Sequence, residues 1–347
     1  MARRLLPGDG GHPPLEGLST APAPLSHAPG IVVAALGTLA FGAVLGPEAP
    51  VLALGSVVGI AAARVARTEE RALPVLSMAG SMSAMSALFG GPLVAAVLVV
   101  EAGLGLGAAL LRVLLPGLVA AAIGYTVFVG LGEWGGLDAP GLVVPDLPAY
   151  EGTRVVDLLI AVAVGVATAL LIALVRRLAT AVSRTGLGVP ALLLGGALAV
   201  GGLALLADAL GADSQDVLFS GQASVPAVVA EDPGIVVVLI VAKALAYAVS
   251  LGCGFRGGPI FPAIFLGVGL ASLPVAWFDV SPTLAIAVGA AAGMACQARL
   301  LVASLLFAAL LVGLQGLDAA PAAVLAASAA WLTMAVLEPP PQRPDDP

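Results

Sequence analysis

Apolar residues in this chain neither alternate nor gather on one helical face. They form continuous runs at about 31–45, 51–66, 74–88, 92–131, 155–179, 189–211, 233–251, 259–278, 282–298, 299–314 and 319–337. Runs of that kind predict helices that are apolar all round, and the longest, 92–131, has room for two. A helix that crosses a bilayer needs roughly 20 such residues. Several runs are shorter and end at Gly and Pro, as Ile31 to Leu45 does before Gly46 and Pro47. These read as half-helices that stop inside a membrane, where freed backbone groups are tolerated only against protein or a water-filled cavity. The predicted fold is therefore an all-α, multi-pass membrane protein of tilted and broken helices, built as a transporter is.

Composition supports the same solvent. Hydrophobic residues make up 60% of the chain and charged ones only 10%, with 44 Gly and 27 Pro supplying many breaks; a soluble domain carries about 25% charge. Ahead of the membrane domain at 31–337, residues 1–30 form a polar segment with Arg3, Arg4 and several Pro, without the apolar core of a signal peptide. The Pro- and Asp-rich tail 338–347 is predicted to be disordered. A net charge of −7 excludes a basic nucleic-acid surface. Cys253 and Cys296 make no disulfide framework, His12 and His27 lack metal-ligand spacing, and no zinc-protease helix or nucleophile elbow occurs. Neither a metal, a cofactor nor an enzyme is expected. Arg176, Arg177 and Arg184 mark 176–184 as cytoplasmic, which puts the acidic loop 131–157, with Glu133, Asp138, Asp146, Glu151 and Asp157, outside. Trp134 and Tyr150 in that loop are expected as interfacial anchors.

Ionisable side chains inside apolar runs are costly and point to function. Glu48, Glu101, Lys243 and Arg256 are such residues. Glu48 lies in Gly46-Pro47-Glu48-Ala49-Pro50, where Pro50 suits the first turn of the next helix. Its carboxylate either occupies the positive end of that helix, as a tethered stand-in for a permeating anion, or caps the helix at the membrane surface. A second break, Gly252 to Pro262, is again followed by an apolar run; glycine there allows close backbone approach to an ion. Paired helix starts, one in each half, are what a midplane binding site requires. Arg256 beside this break either attracts anions or satisfies helix C-terminal carbonyls. Lys243 has two readings, pairing with an acid in the bundle or a snorkelling or structural role.

Ala35 to Pro50 resembles the GxxGxxLGREGP region of the chloride channel (CLC) family. Phe89-Gly90-Gly91-Pro92-Leu93, ending at Glu101, resembles FNAPLAGxLFxxEE, and Gly252 to Pro262 resembles GSGxPGGxFxP. The variants LGPEAP and GFRGGxIFPA are closest to a bacterial ion-transport branch of the family. The resemblance implies an inverted-repeat, multi-pass protein of the plasma membrane, a homodimer embedded in lipid with one anion pathway per subunit, for chloride or a similar inorganic anion. Glu48 falls on the gating glutamate. Gly46, Ala49, Gly257, Gly258, Ile260 and Phe261 fall on the ion-binding helix starts, with Ile260 offering its N–H. Glu101 and Arg256 take a proton-transfer or electrostatic role, and Glu101 is alternatively a carboxylate hydrogen-bonded between helices.

Four departures from the pattern stand out. Pro47 and Ala49 alter GREGP, Pro259 removes an N–H, Gly10 stands in place of a serine, and no tyrosine lies near the C-terminus. Ala102 replaces the second acid of the glutamate pair, which points to passive rather than proton-coupled conduction. The family pattern also has helices ahead of the first motif, so this sequence reads as a fragment or a misassigned start. The alternative function is a membrane protein that keeps the scaffold without conducting.

Overall fold

Proline and glycine set the helix boundaries. Pro29, Pro74, Pro92, Pro190, Pro233, Pro282 and Pro321 all occupy one of the first two helical positions, where the missing N–H is harmless and φ is preset. Gly42, Gly130, Gly211 and Gly254 follow helix ends with φ between 77° and 94°, a left-handed turn that costs glycine nothing. The structure is a computed structural model describing residues 6–17, 19, 21–103, 109–131, 134–137, 143–278 and 280–338. The tail 339–347, Arg3, Arg4, Glu133 and Asp138 lie outside the described residues.

The longer helices are α1 Ala28–Leu39, α2 Glu48–Val65, α3 Leu73–Leu88, α4 Pro92–Ala102, α5 Ala109–Val129, α6 Val155–Ser183, α7 Val189–Ala209, α8 Pro233–Gly252, α9 Ile260–Phe278, α10 Pro282–Ala298, α11 Val302–Val312 and α12 Ala320–Leu337. Each apolar run of the sequence became a helix, and 92–131 became two. Among the described residues there is no strand, and six helical stretches are long and apolar enough to cross a membrane. Two runs end differently from expectation. The first stops at Leu39, because the left-handed turn at Gly42 sends residues 43–46 inward, where all four are buried. The run at 299–314 starts its helix only at Val302, because Arg299 takes a left-handed conformation with φ of 58°.

Helix α10 lies at the centre, with every residue from Thr283 to Gln297 buried. Helix α7 is peripheral and presents Leu194, Leu198 and Leu205 outward, each about 70% exposed or more, as a lipid-facing helix does. Helix pairs α2–α3 and α9–α10 touch backbone to backbone. A methyl group on Gly55 would run into the Gly80 carbonyl, and one on Gly267 into the Gly289 carbonyl. Without a hydrophobic drive between helices in lipid, such close van der Waals contact is what holds them.

One polar residue departs from expectation, and another takes one of the roles expected of it. Tyr150 is 7% exposed and not an interfacial anchor: its hydroxyl donates to Asp157 at 2.9 Å, and Arg154 binds the same carboxylate through side chain and backbone. An acid at the start of α6 is favoured by the helix dipole. Lys243 takes the structural role, without snorkelling or pairing with a carboxylate. Fully buried on α8, its ammonium donates to the carbonyls of Asp216 (2.7 Å), Val217 (3.2 Å) and Leu218 (3.1 Å), at the end of the short helix Ser214–Val217, and lies 4.4 Å from the Phe265 ring centre. Lys243→Met strips those carbonyls of their donor and is expected to destabilise the fold by about 3 kcal/mol. A lowered unfolding midpoint in detergent is the readout, and an unchanged midpoint would refute the role.

Candidate functional site

Two loops, 40–47 between α1 and α2 and 253–259 between α8 and α9, cross at the centre of the protein. Gly46 N–H donates to the Gly258 carbonyl at 2.7 Å and Gly258 N–H to the Gly46 carbonyl at 2.5 Å. The same two-fold relation places Arg256 N–H on the Thr38 hydroxyl (3.2 Å) and Val44 N–H on the Ser250 hydroxyl (3.0 Å). Each loop is therefore fastened by the helix that precedes the other. The sequence carries this relation as a repeat. Thr38, Gly42, Gly46, Pro47, Pro50 and Gly55 recur at one constant offset as Ser250, Gly254, Gly258, Pro259, Pro262 and Gly267. Reading the two breaks separately misses it, because the flanking apolar residues are not matched.

Glu48 opens α2 but its carboxylate does not sit at a surface, being 1% exposed. It reaches across to the other half, where Phe261 N–H donates to Oε1 at 2.8 Å, and the amides of Ile260 and of Glu48 itself also face it. The helix end it neutralises is thus that of α9 as well as its own. Oε2 is buried with no hydrogen-bond partner. Gly46 and Gly258 flank the carboxylate so closely that a methyl group on either would collide with it. The structure thus brings Gly46, Glu48, Gly258, Ile260 and Phe261 together. Ala49 lies partly exposed in the first turn of α2, and Gly257 packs against Leu45 and the Gly46 carbonyl.

Cavities lie on both sides of this junction. One, about 490 Å³, is lined by Leu52, Ile260, Gln297, Arg299, Arg176 and Glu338 among others. The other, about 380 Å³, is lined by Val143 to Pro145, Ser220, Phe261, Ile264 and Phe307. Arg176 is in the last third of α6 and the Val143 loop precedes its start, so the cavities lie toward opposite ends of that 29-residue helix, with adjacent residues Ile260 and Phe261 lining one each. Between them lie Glu48 and three buried rings. Phe89 and Phe261 stack at 5.7 Å, and Phe307 meets both edge-on at 5.7 and 6.1 Å. Phe89 opens the second motif, but the apolar pattern marks neither it nor Phe307 as part of this cluster.

Glu101 and Arg256 are placed elsewhere. The Glu101 carboxylate accepts the N–H groups of Leu301 (2.5 Å), Val302 (3.1 Å) and Ala303 (2.9 Å), capping α11 from the end of α4. Arg256 is 4% exposed; its guanidinium donates to the Asp9 carbonyl at 3.2 Å and to the Asp9 carboxylate at 2.8 Å, which ties the N-terminal segment to the α8–α9 loop. No group of three or more potential metal ligands occurs among the described residues.

Broken apolar helices that meet in two-fold fashion around a buried carboxylate define a class of membrane protein, and sequence comparison gives its family. Residues 14–334 match the family described as Voltage gated chloride channel, and the chain belongs to it. It is 30% identical over 276 residues to a protein of Escherichia coli O1:K1 / APEC named "Putative ion-transport protein YfeO", covering 75% of this chain and 61% of that one. The same-named protein of Escherichia fergusonii is 31% identical over the same length and coverage. The chain thus spans about three-fifths of the curated relatives it matches. Among solved structures, its fold is shared with a slow cyanobacterial Cl−/H+ antiporter (TM-score 0.76, 15% identity, 97% of this chain and 80% of that one). It is shared also with a CLC-type fluoride/proton antiporter (TM-score 0.66, 21% identity, 90% and 76%).

The tight seat yields a test. Gly258→Ala leaves no room for the Glu48 carboxylate, so its reaction with a carbodiimide, read by mass spectrometry, is expected to rise severalfold. Labelling equal to that of the unmodified protein would show that the carboxylate is not held there.

Proposed function

We propose that this chain conducts a small inorganic anion such as chloride across the plasma membrane, with Glu48 as its gate. The observation that carries the reading is the Glu48 carboxylate itself: a tethered anion lodged at a helix N-terminus, between two cavities that lie toward opposite ends of α6. Free N–H groups and the helix dipole make that end attractive to any small anion. When the carboxylate swings out, Phe261 N–H and Ile260 N–H are left to receive one. Gly46 and Gly258 keep side chains off the path, and Ala49 and Gly257 shape its walls. The family resemblance supports a homodimer with one pathway in each subunit, and the exposed leucines of α7 suit contact with lipid.

Passive conduction is the mode this arrangement favours. Ala102 cannot take up a proton, and Glu101 cannot release its three backbone amides without leaving them unpaired, at about 1–3 kcal/mol each where buried. Arg256, held by Asp9, contributes its field from a fixed position. A chloride gradient across liposomes is expected to drive anion movement without uphill proton movement. Proton pumping against a gradient would overturn the uncoupled reading.

Efflux of chloride and of fluoride from proteoliposomes tests the function as a whole. Flux should exceed that of empty liposomes, and Glu48→Gln and Glu48→Ala, which remove the competing charge, should raise it. No flux above empty liposomes for any anion, in any of the three proteins, would leave the non-conducting scaffold as the answer.

A further inference from the structure

The larger cavity holds polar groups that the Glu48 gate does not use. Gln297, at the last turn of α10, is 93% buried by its 7% residual exposure, yet neither its amide nitrogen nor its amide oxygen has a hydrogen-bond partner. Leaving such a group unpaired costs about 1–3 kcal/mol per atom, so a native structure rarely keeps one without a ligand or water to serve it. Two residues on, Arg299 holds the left-handed conformation that normally falls to glycine or asparagine at a helix end. An arginine there carries a backbone penalty of about 1–2 kcal/mol. That turn is held from outside, since the Trp331 indole N–H donates to the Arg299 carbonyl at 3.2 Å.

Arg176, from α6, lines the same cavity. Between the two guanidinium groups lies the Glu338 carboxylate, just past α12. Arg176 donates to its Oε2 at 2.8 Å, Arg299 lies 3.7 Å from that same oxygen, and Arg299 also donates to the Glu338 backbone carbonyl at 2.9 Å. Two cations converging on one acid leave an excess positive charge. Arg177 and Arg184 add to it in an adjoining cleft that Arg176 and Glu338 also line. The remaining acid on the cavity wall, Glu16, is 65% exposed and faces His12 at 3.8 Å, so solvent screens it.

We propose that Gln297, Arg299 and Arg176 form a second binding site for a monovalent inorganic anion at the mouth of the larger cavity, with the Glu338 carboxylate as its built-in competitor. The Gln297 amide N–H groups supply donors in a low-dielectric recess, and the arginines supply charge. Glu338 holds the place when no anion is present, as Glu48 does at the junction, but on the opposite approach to it. The site deepens the anion-transport reading and rests on it for its role, while its binding chemistry stands on these residues alone.

Calorimetric titration of the purified, detergent-solubilised full chain with potassium chloride, in an isethionate buffer, tests the site. Glu338→Gln, which frees the arginines, should tighten chloride binding about tenfold if the competitor is seated nine-tenths of the time. Gln297→Leu, which removes the donors and relieves the unpaired amide, should weaken binding about tenfold while leaving the melting temperature equal or higher. Chloride affinity unchanged by both substitutions would overturn the site, as would an absence of binding heat in Glu338→Gln. If Gln297→Leu fails to fold, the Glu338→Gln arm decides alone. Liposome flux separates this from the reading it rests on. Flux with unaltered chloride affinities would remove the second site and keep the gate; altered affinities with no flux would keep the site and remove transport.

Discussion

Everything at the centre of this protein depends on two glycines exchanging backbone hydrogen bonds. Gly46 and Gly258 stand face to face, each donating to and accepting from the other, at distances of 2.7 and 2.5 Å. Strand-like pairing of this kind, one residue long, is rare inside an apolar helical bundle, because backbone polar groups there have no water to fall back on. It is affordable here since the hydroxyls of Thr38 and Ser250 take up the neighbouring amides of Arg256 and Val44. The pairing brings the starts of α2 and α9 together, and with them a carboxylate from one half against the free amides of the other.

Two charges inside this fold are held by helix ends, whereas Asp157 and Arg256 are held by ion pairs. Glu101 takes three amides at the start of α11, and Lys243 takes three carbonyls at the end of a short helix. Both are fully committed, which makes them rigid, and a fully satisfied polar cluster specifies one arrangement. Glu48 differs by being half satisfied: one oxygen is bonded and the other has no partner. The same contrast separates Gln297, with neither amide atom bonded, from Thr283 at the other end of α10, whose hydroxyl donates to the Pro148 carbonyl. On the proposed readings, incomplete satisfaction is what lets Glu48 and Gln297 change partners, though the Thr168 and Ser281 hydroxyls are unpaired as well.

Most of the fold was legible in the sequence because lipid leaves the chain few choices. Apolar runs became helices, and Pro and Gly marked their ends, with the breaks at 46–50 and 252–262 rightly read as meeting helix starts. What escaped was governed by contacts across the chain. That α1 stops at Leu39 follows from a left-handed Gly42, and the run gives no hint of it. Glu48 was read as serving its own helix, whereas the crossing of the loops carries its carboxylate to α9. Tyr150 looked like a membrane anchor until Asp157, a turn into α6, was seen to need its hydroxyl. Lys243 met carbonyls some 25 residues upstream, a pairing no local pattern encodes. The repeat relating the two breaks was present in the letters all along, visible once both were laid on a single offset.

The close glycine contacts within α2–α3 and α9–α10 carry a mechanical consequence. Helices that meet backbone to backbone have no layer of side chains between them to compress or slide, and close-packed interiors shift between discrete arrangements rather than deforming smoothly. Opening the junction by parting these helices would tear those contacts, whereas turning one glutamate side chain about its own bonds disturbs almost nothing. On the proposed reading the moving part is thus a handful of atoms. Side-chain rotations of that size occur far faster than the rocking of whole helical bundles. Such a gate changes neither the protein's outline nor its area in the bilayer, and so would be indifferent to membrane tension and thickness in a way that a rocking transporter is not.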